Sequence, residues 1–372
     1  MELQSQRFEV DDYWQALETI YEKGWTDGLP VVPPTRSRVE ACLDAIGVGP
    51  DQIVGEIPER NRVVRAEKLA INAVMAGCRP EYMPVLVAAV EAICDPRFKF
   101  NHLASLGSPT PMLIVSGPIV RELGFNWDRG VMGPSSRANA TIGRAISLLL
   151  WNVAELRPDA IQRGTYGNPL RWTSGCISEN PNDLGWQSLR EHLGFDAADS
   201  TVTVISNWGA YTQTWAMKPD AMDTLNTIAD ATACGSGNFC RGVYTVLLAP
   251  PIIERFVSQG WSRQKVRDWL FENTGRTIAE LKRRGRWGYS STNVGEYAGN
   301  IHASDIEPGD TEKFVYLFRQ NPGLDEILQN ESQLTRENDI YLVATGGDVI
   351  SQLIVIAEYG VSTNPVTKRI RR

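Results

Sequence analysis

Apolar positions along this 372-residue chain recur first at helical spacing and later in short unbroken runs. Tyr13, Trp14, Leu17, Ile20 and Tyr21 fall on one face of a 3.6-residue repeat, which predicts an amphipathic helix over 12–23. A Gly- and Pro-rich loop, 24–35, follows, and Thr35 is placed to cap a helix over 38–46. Residues 66–77 and 81–94 read as two apolar helices. They part at Cys78-Arg79-Pro80, because proline disfavours helical backbone in the residue before it.

A repeat then emerges. Met112-Leu-Ile-Val-Ser-Gly-Pro118 has the pattern of a buried strand and leads into the helix-like Ile119-Val-Arg-Glu-Leu-Gly124. Tyr244-Thr-Val-Leu-Leu-Ala-Pro-Pro251 leads in the same way into a helix over 252–260. A Gly/Ser-rich loop (105–111; 234–242) and an alanine-rich helix precede each strand, and proline in the first helical turn suits both junctions. Between them a long apolar helix runs to Trp151, with Ser135 or Ser136 as its cap. A third run, Ile340-Tyr-Leu-Val-Ala-Thr345, ends in Gly346-Gly347 and predicts a helix over 349–358.

Strands alternating with helices predict an α/β protein: two related α/β subdomains with short buried strands and flanking helices, plus an N-terminal arm. The expected bounds are 1–54 for the arm, 55–200 and 201–372 for the subdomains. Chance similarity of two short strand–proline–helix pieces is the competing explanation. The length exceeds what one core usually organises, which favours two.

The formal net charge of −7 argues against nucleic-acid or anionic-membrane partners, since both need a basic field. The basic segments Lys282–Trp287 and Lys368–Arg372 read as solvated or subunit-facing surface. No apolar run reaches the roughly 18–20 residues of a membrane span, and the polar N-terminus shows no signal peptide. Cytoplasmic location is therefore expected, with the six cysteines reduced.

Candidate chemistry centres on Cys234-Gly-Ser-Gly-Asn-Phe-Cys240. Its glycines let backbone approach a ligand, so Cys234 is a catalytic candidate, Ser236 and Asn238 are binding candidates, and Cys240 reads as structural. Cys-x5-Cys is neither zinc nor thioredoxin spacing. Cys176, with Glu179 three residues on and Arg171 near in sequence, is a second thiol candidate. Cys42, Cys78 and Cys94 fall in apolar helical contexts and read as core.

Of the three histidines, His102 precedes the first repeated strand and is the proton-transfer candidate; His192 reads as surface, and no pair has zincin spacing. Ligands bind beyond the carboxyl ends of strands in open α/β sheets, which nominates Gly346 and Gly347. Arg137 and Asn139, at the start of the helix to Trp151, suit a carboxylate or phosphate. No Gly-x-Gly-x-x-Gly follows a strand and opens a helix, so no dinucleotide is expected, and neither cofactor nor metal is assigned.

Several segments together resemble a bacterial family related to the UGSC-like (selenocysteine-Gly-Ser-Cys) proteins. They are Gly24-Trp-Thr-Asp-Gly-Leu-Pro-Val-Val-Pro-Pro-Thr35, Asn72-Ala-Val-Met-Ala-Gly-Cys-Arg-Pro-Glu-Tyr82, Leu113–Pro118, Gly133–Arg144, Gly260–Arg267 and Asn364-Pro-Val-Thr-Lys-Arg369. The resemblance implies a thiol-redox association. It also implies a divergent member, because the family's histidines are replaced at Ser108-Pro109, at 210–214 and at Pro251-Ile252. Cys234-Gly-Ser matches the signature, while Gly237 stands where its second thiol belongs.

Three functions stay open. One is a lyase or hydratase acting on a small carboxylate-bearing metabolite in a cleft between the subdomains, as a homo-oligomer. The second is a thiol oxidoreductase using Cys234 and Cys240. The third is a non-catalytic subunit completing a hetero-oligomer with a related chain.

Overall fold

A computed structural model describes residues 2–105, 107–162, 164, 166–172, 174–234, 243–284, 306–319, 321, 340–358 and 364–372. Backbone contacts divide the chain into two units. The first comprises 1–182, 188–208 and 363–372; the second comprises 183–187 and 209–362.

The first unit opens with α1 (Tyr13–Glu22), which Asp12 caps by accepting from Gln15 N, and α2 (Arg36–Asp44). A hairpin of β1 (Ile53–Ile57) and β2 (Arg62–Arg65) follows, then α3 (Ala66–Ala76) and α4 (Met83–Ile93). Next come β3 (Thr110–Ser116), α5 (Ile119–Glu122), α6 (Arg137–Asn152), β4 (Cys176–Ser178), α7 (Leu189–His192) and β5 (Thr201–Trp215). Ser136 starts α6 by accepting from Asn139 N. The buried Ala138, Ile142, Ala145, Ile146 and Leu149 then recur every three or four residues, giving α6 one face for the core.

All seven residues of β3 are buried; β4 pairs with it in parallel and β5 antiparallel. A strand covered on both faces reads as a continuous apolar run, which is why this one was legible. At its end Gly117 has φ +105°, and a Cβ there would lie 2.3 Å from the Asp199 carbonyl oxygen. Only glycine fits both demands.

The N-terminal segment packs into this unit's core through Leu17, Ile20, Val31, Val39 and Leu43. Loop 24–35 is pinned to α6: Trp151 Nε1 donates to Gly24 O, and Arg144 pairs with Asp27 and donates to Leu29 O and Pro30 O.

The second unit takes up β5 from Gly209 on. It continues through α8 (Ala221–Cys234), β6 (Tyr244–Leu248), α9 (Pro250–Ser258), α10 (Arg263–Asn273), β7 (Gly275–Thr277) and α11 (Ile278–Arg283). β8 (Phe314–Tyr316), which pairs antiparallel with β7, precedes β9 (Ile340–Ala344) and β10 (Gln352–Glu358). β11 (Val366–Arg369) then pairs antiparallel with the start of β5 in the first unit. The second unit has its own apolar core, around Leu225, Ile228, Val246, Ile253, Phe256 and Leu342.

The two units share a topology. β3 stands between parallel β4 and antiparallel β5; β6 stands between parallel β9 and antiparallel β10. In chain order each set reads helix, middle strand, helices, parallel strand, antiparallel strand. The sequence repeat thus corresponds to a repeat of architecture, in an α/β fold of mixed sheets.

One predicted element differs from the sequence pattern, and several further elements, β5 the longest among them, had no prediction. Residues 349–358, expected as a helix, contribute β10, whose Leu353, Val355 and Ala357 face the core while its backbone pairs with β6. β-branched Ile354, Val355 and Ile356 fit a pleated half-buried surface, and the waiting edge of β6 decides the outcome. The fifteen-residue β5 had no sequence assignment, although Thr201-Val-Thr-Val-Ile205 is rich in strand formers.

Candidate active site

The apolar face of α8 (Leu225, Ile228, Ala231) is buried, so Asp230 and Cys234 are left outward near its carboxyl end. Thr277 begins α11 by accepting from Glu280 N. Glu280 and Arg284 therefore lie four residues apart on one side of α11 and at its end, while Arg276 precedes the helix, in β7. That side faces Cys234. Arg276 Nη2 donates to the Cys234 sulfur and pairs with Asp230, while Arg284 Nη1 lies 3.7 Å from the same sulfur. Glu280 ties the two arginines, at 2.9 Å to Arg284 and 3.8 Å to Arg276.

Burial works against the Arg276 charge, but its hydrogen bonds to Asp230 and Cys234 outweigh this and its pKa is raised. An exposed sulfur between two guanidinium groups is the surrounding in which reactive thiols are found. Guanidinium forks also match a carboxylate in geometry and charge. The cluster can therefore bring a small organic acid against a thiol.

The other sequence candidates are distributed differently. Ser236, Asn238 and Cys240 lie outside the described residues. Gly346, at φ +93°, and Gly347 turn the chain after the carboxyl end of β9, next to that of β6, whereas Cys234 precedes the amino end of β6. His102 lies half-buried in the first unit, in a single-turn helix of residues 100–104; burial first, and then Lys99, lower its pKa.

Cys176, Glu179 and Asn139 are buried in the first unit, in two sets of hydrogen bonds. Asn139 Nδ2 donates to Cys176 O at 3.0 Å and to Asn126 O at 3.2 Å, and its Oδ1 accepts from Asn126 N. Glu179 accepts from Ser116 Oγ at 2.8 Å and from Leu189 N at 2.7 Å, which fastens the ends of β3 and β4 to the start of α7. The Cys176 thiol is pushed far up by burial, with Cys78 adding to it, so it is held protonated. Arg137 donates twice to Gly77 O and edges a hollow of about 250 Å³ that Cys42 and Cys78 also line. Arg171, near Cys176 in sequence, donates instead to the carbonyls of Leu103 and Pro109.

Asp230, Arg276, Glu280 and Arg284 were missing from the sequence candidates. The Glu280-x3-Arg284 spacing was readable as one helical face, but Arg276 lies in β7, and the meeting of both arginines with Cys234, 42 residues from Arg276, is a product of folding. Among the described residues, no three His, Cys, Asp or Glu side chains are grouped to hold a metal ion, and no helix is long and apolar enough to cross a membrane. No protein-family model matches the chain, and no curated protein matches it in sequence.

Proposed function

We propose that this chain is a small-molecule enzyme of the lyase or hydratase kind, acting on a carboxylate-bearing metabolite through Cys234. The observation that carries the reading is the convergence of Arg276 and Arg284 on the exposed Cys234 sulfur. Arg276 and Arg284 hold the substrate carboxylate, and Asp230 and Glu280 orient those arginines. Cys234, as thiolate, accepts a proton from the carbon next to the carboxylate. The released C–H pair becomes the double bond, and the β-substituent departs with its own bonding pair, taking a proton from solvent. The Cys234-Gly-Ser match to the UGSC-like signature supports a chemical role for this thiol rather than a packing one.

The test uses the full chain in D2O with a panel of small hydroxy- and unsaturated carboxylates, followed by proton NMR. Exchange at the carbon next to the carboxylate is expected with the native chain. Cys234→Ser and Cys234→Ala should slow it by at least about 100-fold, the contribution of a positioned acid–base group. Undiminished exchange in a folded Cys234→Ala variant overturns the reading.

A further inference from the structure

The first unit contains a cavity of about 320 Å³ that none of the preceding chemistry uses. Its wall includes Arg171, Trp151, Tyr166, Trp172, Ser147 and Ser174. Arg171 is the unusual member. Its Nη2 donates to Leu103 O at 2.7 Å and Pro109 O at 2.9 Å, its Nη1 reaches Leu156 O only at 3.4 Å, and its Nε has no partner. Among the described residues no carboxylate pairs with it, and burial alone lowers its pKa to about 10.

A cation that is largely withdrawn from water, as the part-buried Arg171 is, is stabilised by a counter-charge, because carbonyl dipoles offset its lost hydration only in part. The acidic side chain in the same wall does not supply it: Asp27 is committed to Arg144, at 3.0 and 3.2 Å. Among the described residues, the positive charge that Arg171 brings to the cavity therefore has no paired carboxylate.

Its other surfaces say what shape of anion fits. Trp151 and Trp172 offer flat apolar faces, and Tyr166 and Trp172 remain 100% and 53% exposed, an unusual state for large aromatic side chains. Ser147 and Ser174 hydroxyls, 2.6 Å apart, are hydrogen-bond donors and acceptors in the same wall. The volume is at the lower end of the range for small-molecule sites, about 300–1,000 Å³, which suits an acid with a single ring.

We propose that this cavity binds a small carboxylate with a flat apolar body, the carboxylate on Arg171 and the ring against Trp151 and Trp172. The site is independent of Cys234.

Benzoate and its neutral counterpart benzamide are the probes, titrated calorimetrically into the full chain. Benzoate should bind with a Kd below about 1 mM, reasonable for a ligand of nine heavy atoms. Benzamide should bind at least about tenfold more weakly, since it lacks the charge that Arg171 requires. Trp172→Ala, a change at a half-exposed rim, should weaken benzoate about tenfold through lost ring contact. Arg171→Gln should abolish the preference for benzoate, and Trp172→Ala keeps the test decisive if that variant does not fold. Arg276→Gln with Arg284→Gln should leave benzoate binding unchanged, which separates this site from the carboxylate site proposed beside Cys234. Equal affinity for the two probes, no saturable benzoate binding, or unaltered binding by Trp172→Ala each overturns the assignment.

Discussion

Two cysteines stand at matching places in the chain: Cys94 follows α4 ahead of β3, and Cys234 ends α8 ahead of β6. Their surroundings are opposite. Cys94 is half-buried, and burial, with the Glu59 and Glu56 carboxylates adding to it, pushes its thiol up to about 12. Cys234 is exposed and meets two guanidinium groups. Equal position in a repeat thus fixes where a thiol lies relative to its strand, while its reactivity depends on side chains brought in from elsewhere. The same lesson holds for the turn after each middle strand: Gly117 has φ +105°, whereas Ala249 has φ −66°.

The contrast between the two thiols is largest in alkylation of the native chain by iodoacetate, read by peptide mass spectrometry. Cys234 should be modified roughly a thousandfold faster than Cys94, Cys42, Cys78 or Cys176, because only an accessible thiolate attacks. Comparable labelling of Cys94 would remove the contrast. Next in size is Gly117→Ala, expected to lower stability by about 3 kcal/mol through its positive φ and the Asp199 carbonyl. Ala249→Gly should lower it by less than about 1 kcal/mol, and denaturant melts compare the two.

Arg276→Gln should slow iodoacetate at Cys234 about tenfold and neutral iodoacetamide less, since the anionic reagent loses an attracting charge. Arg284→Gln, from a more distant and more exposed position, should do less. Glu56→Gln with Glu59→Gln should leave Cys94 slow, because burial is the larger cause of its shift.

The smallest effect concerns alkaline stability. Cys42, raised to about 11, and Cys78 and Cys94, each raised to about 12, ionise later in the folded chain than in the unfolded one. Their stabilising contribution is complete below the ordinary thiol value, about 8.5, and is lost as pH climbs toward those raised values. Melting temperature should fall between about pH 8.5 and 10, and Cys94→Ala should flatten the decline.

Much of this protein was readable from local pattern. The helices of the first unit follow from apolar spacing and from caps such as Ser136, and the fully apolar runs of β3, β6 and β9 marked buried strands. The repeat of strand, proline and helix identified the related units. Cys234 was singled out by its glycines, but Cys176, Glu179 and Asn139, equally plausible on paper, make buried hydrogen bonds that tie α6 to β4 and the ends of β3 and β4 to α7. Polar residues in a loop look alike in sequence whether they face a ligand or one another.

Local pattern alone carries the α/β class, the periodic elements and the places where thiols fall in the repeat, because each depends on neighbours within a few residues. Only the fold settled that 349–358 contributes the strand β10, that Arg276 and Arg284 meet Cys234, and that part-buried Arg171 lies beside a cavity with no carboxylate paired to it among the described residues. Strand pairing, charge compensation and burial are set by groups tens of residues away, and only the folded chain brings them within hydrogen-bonding distance.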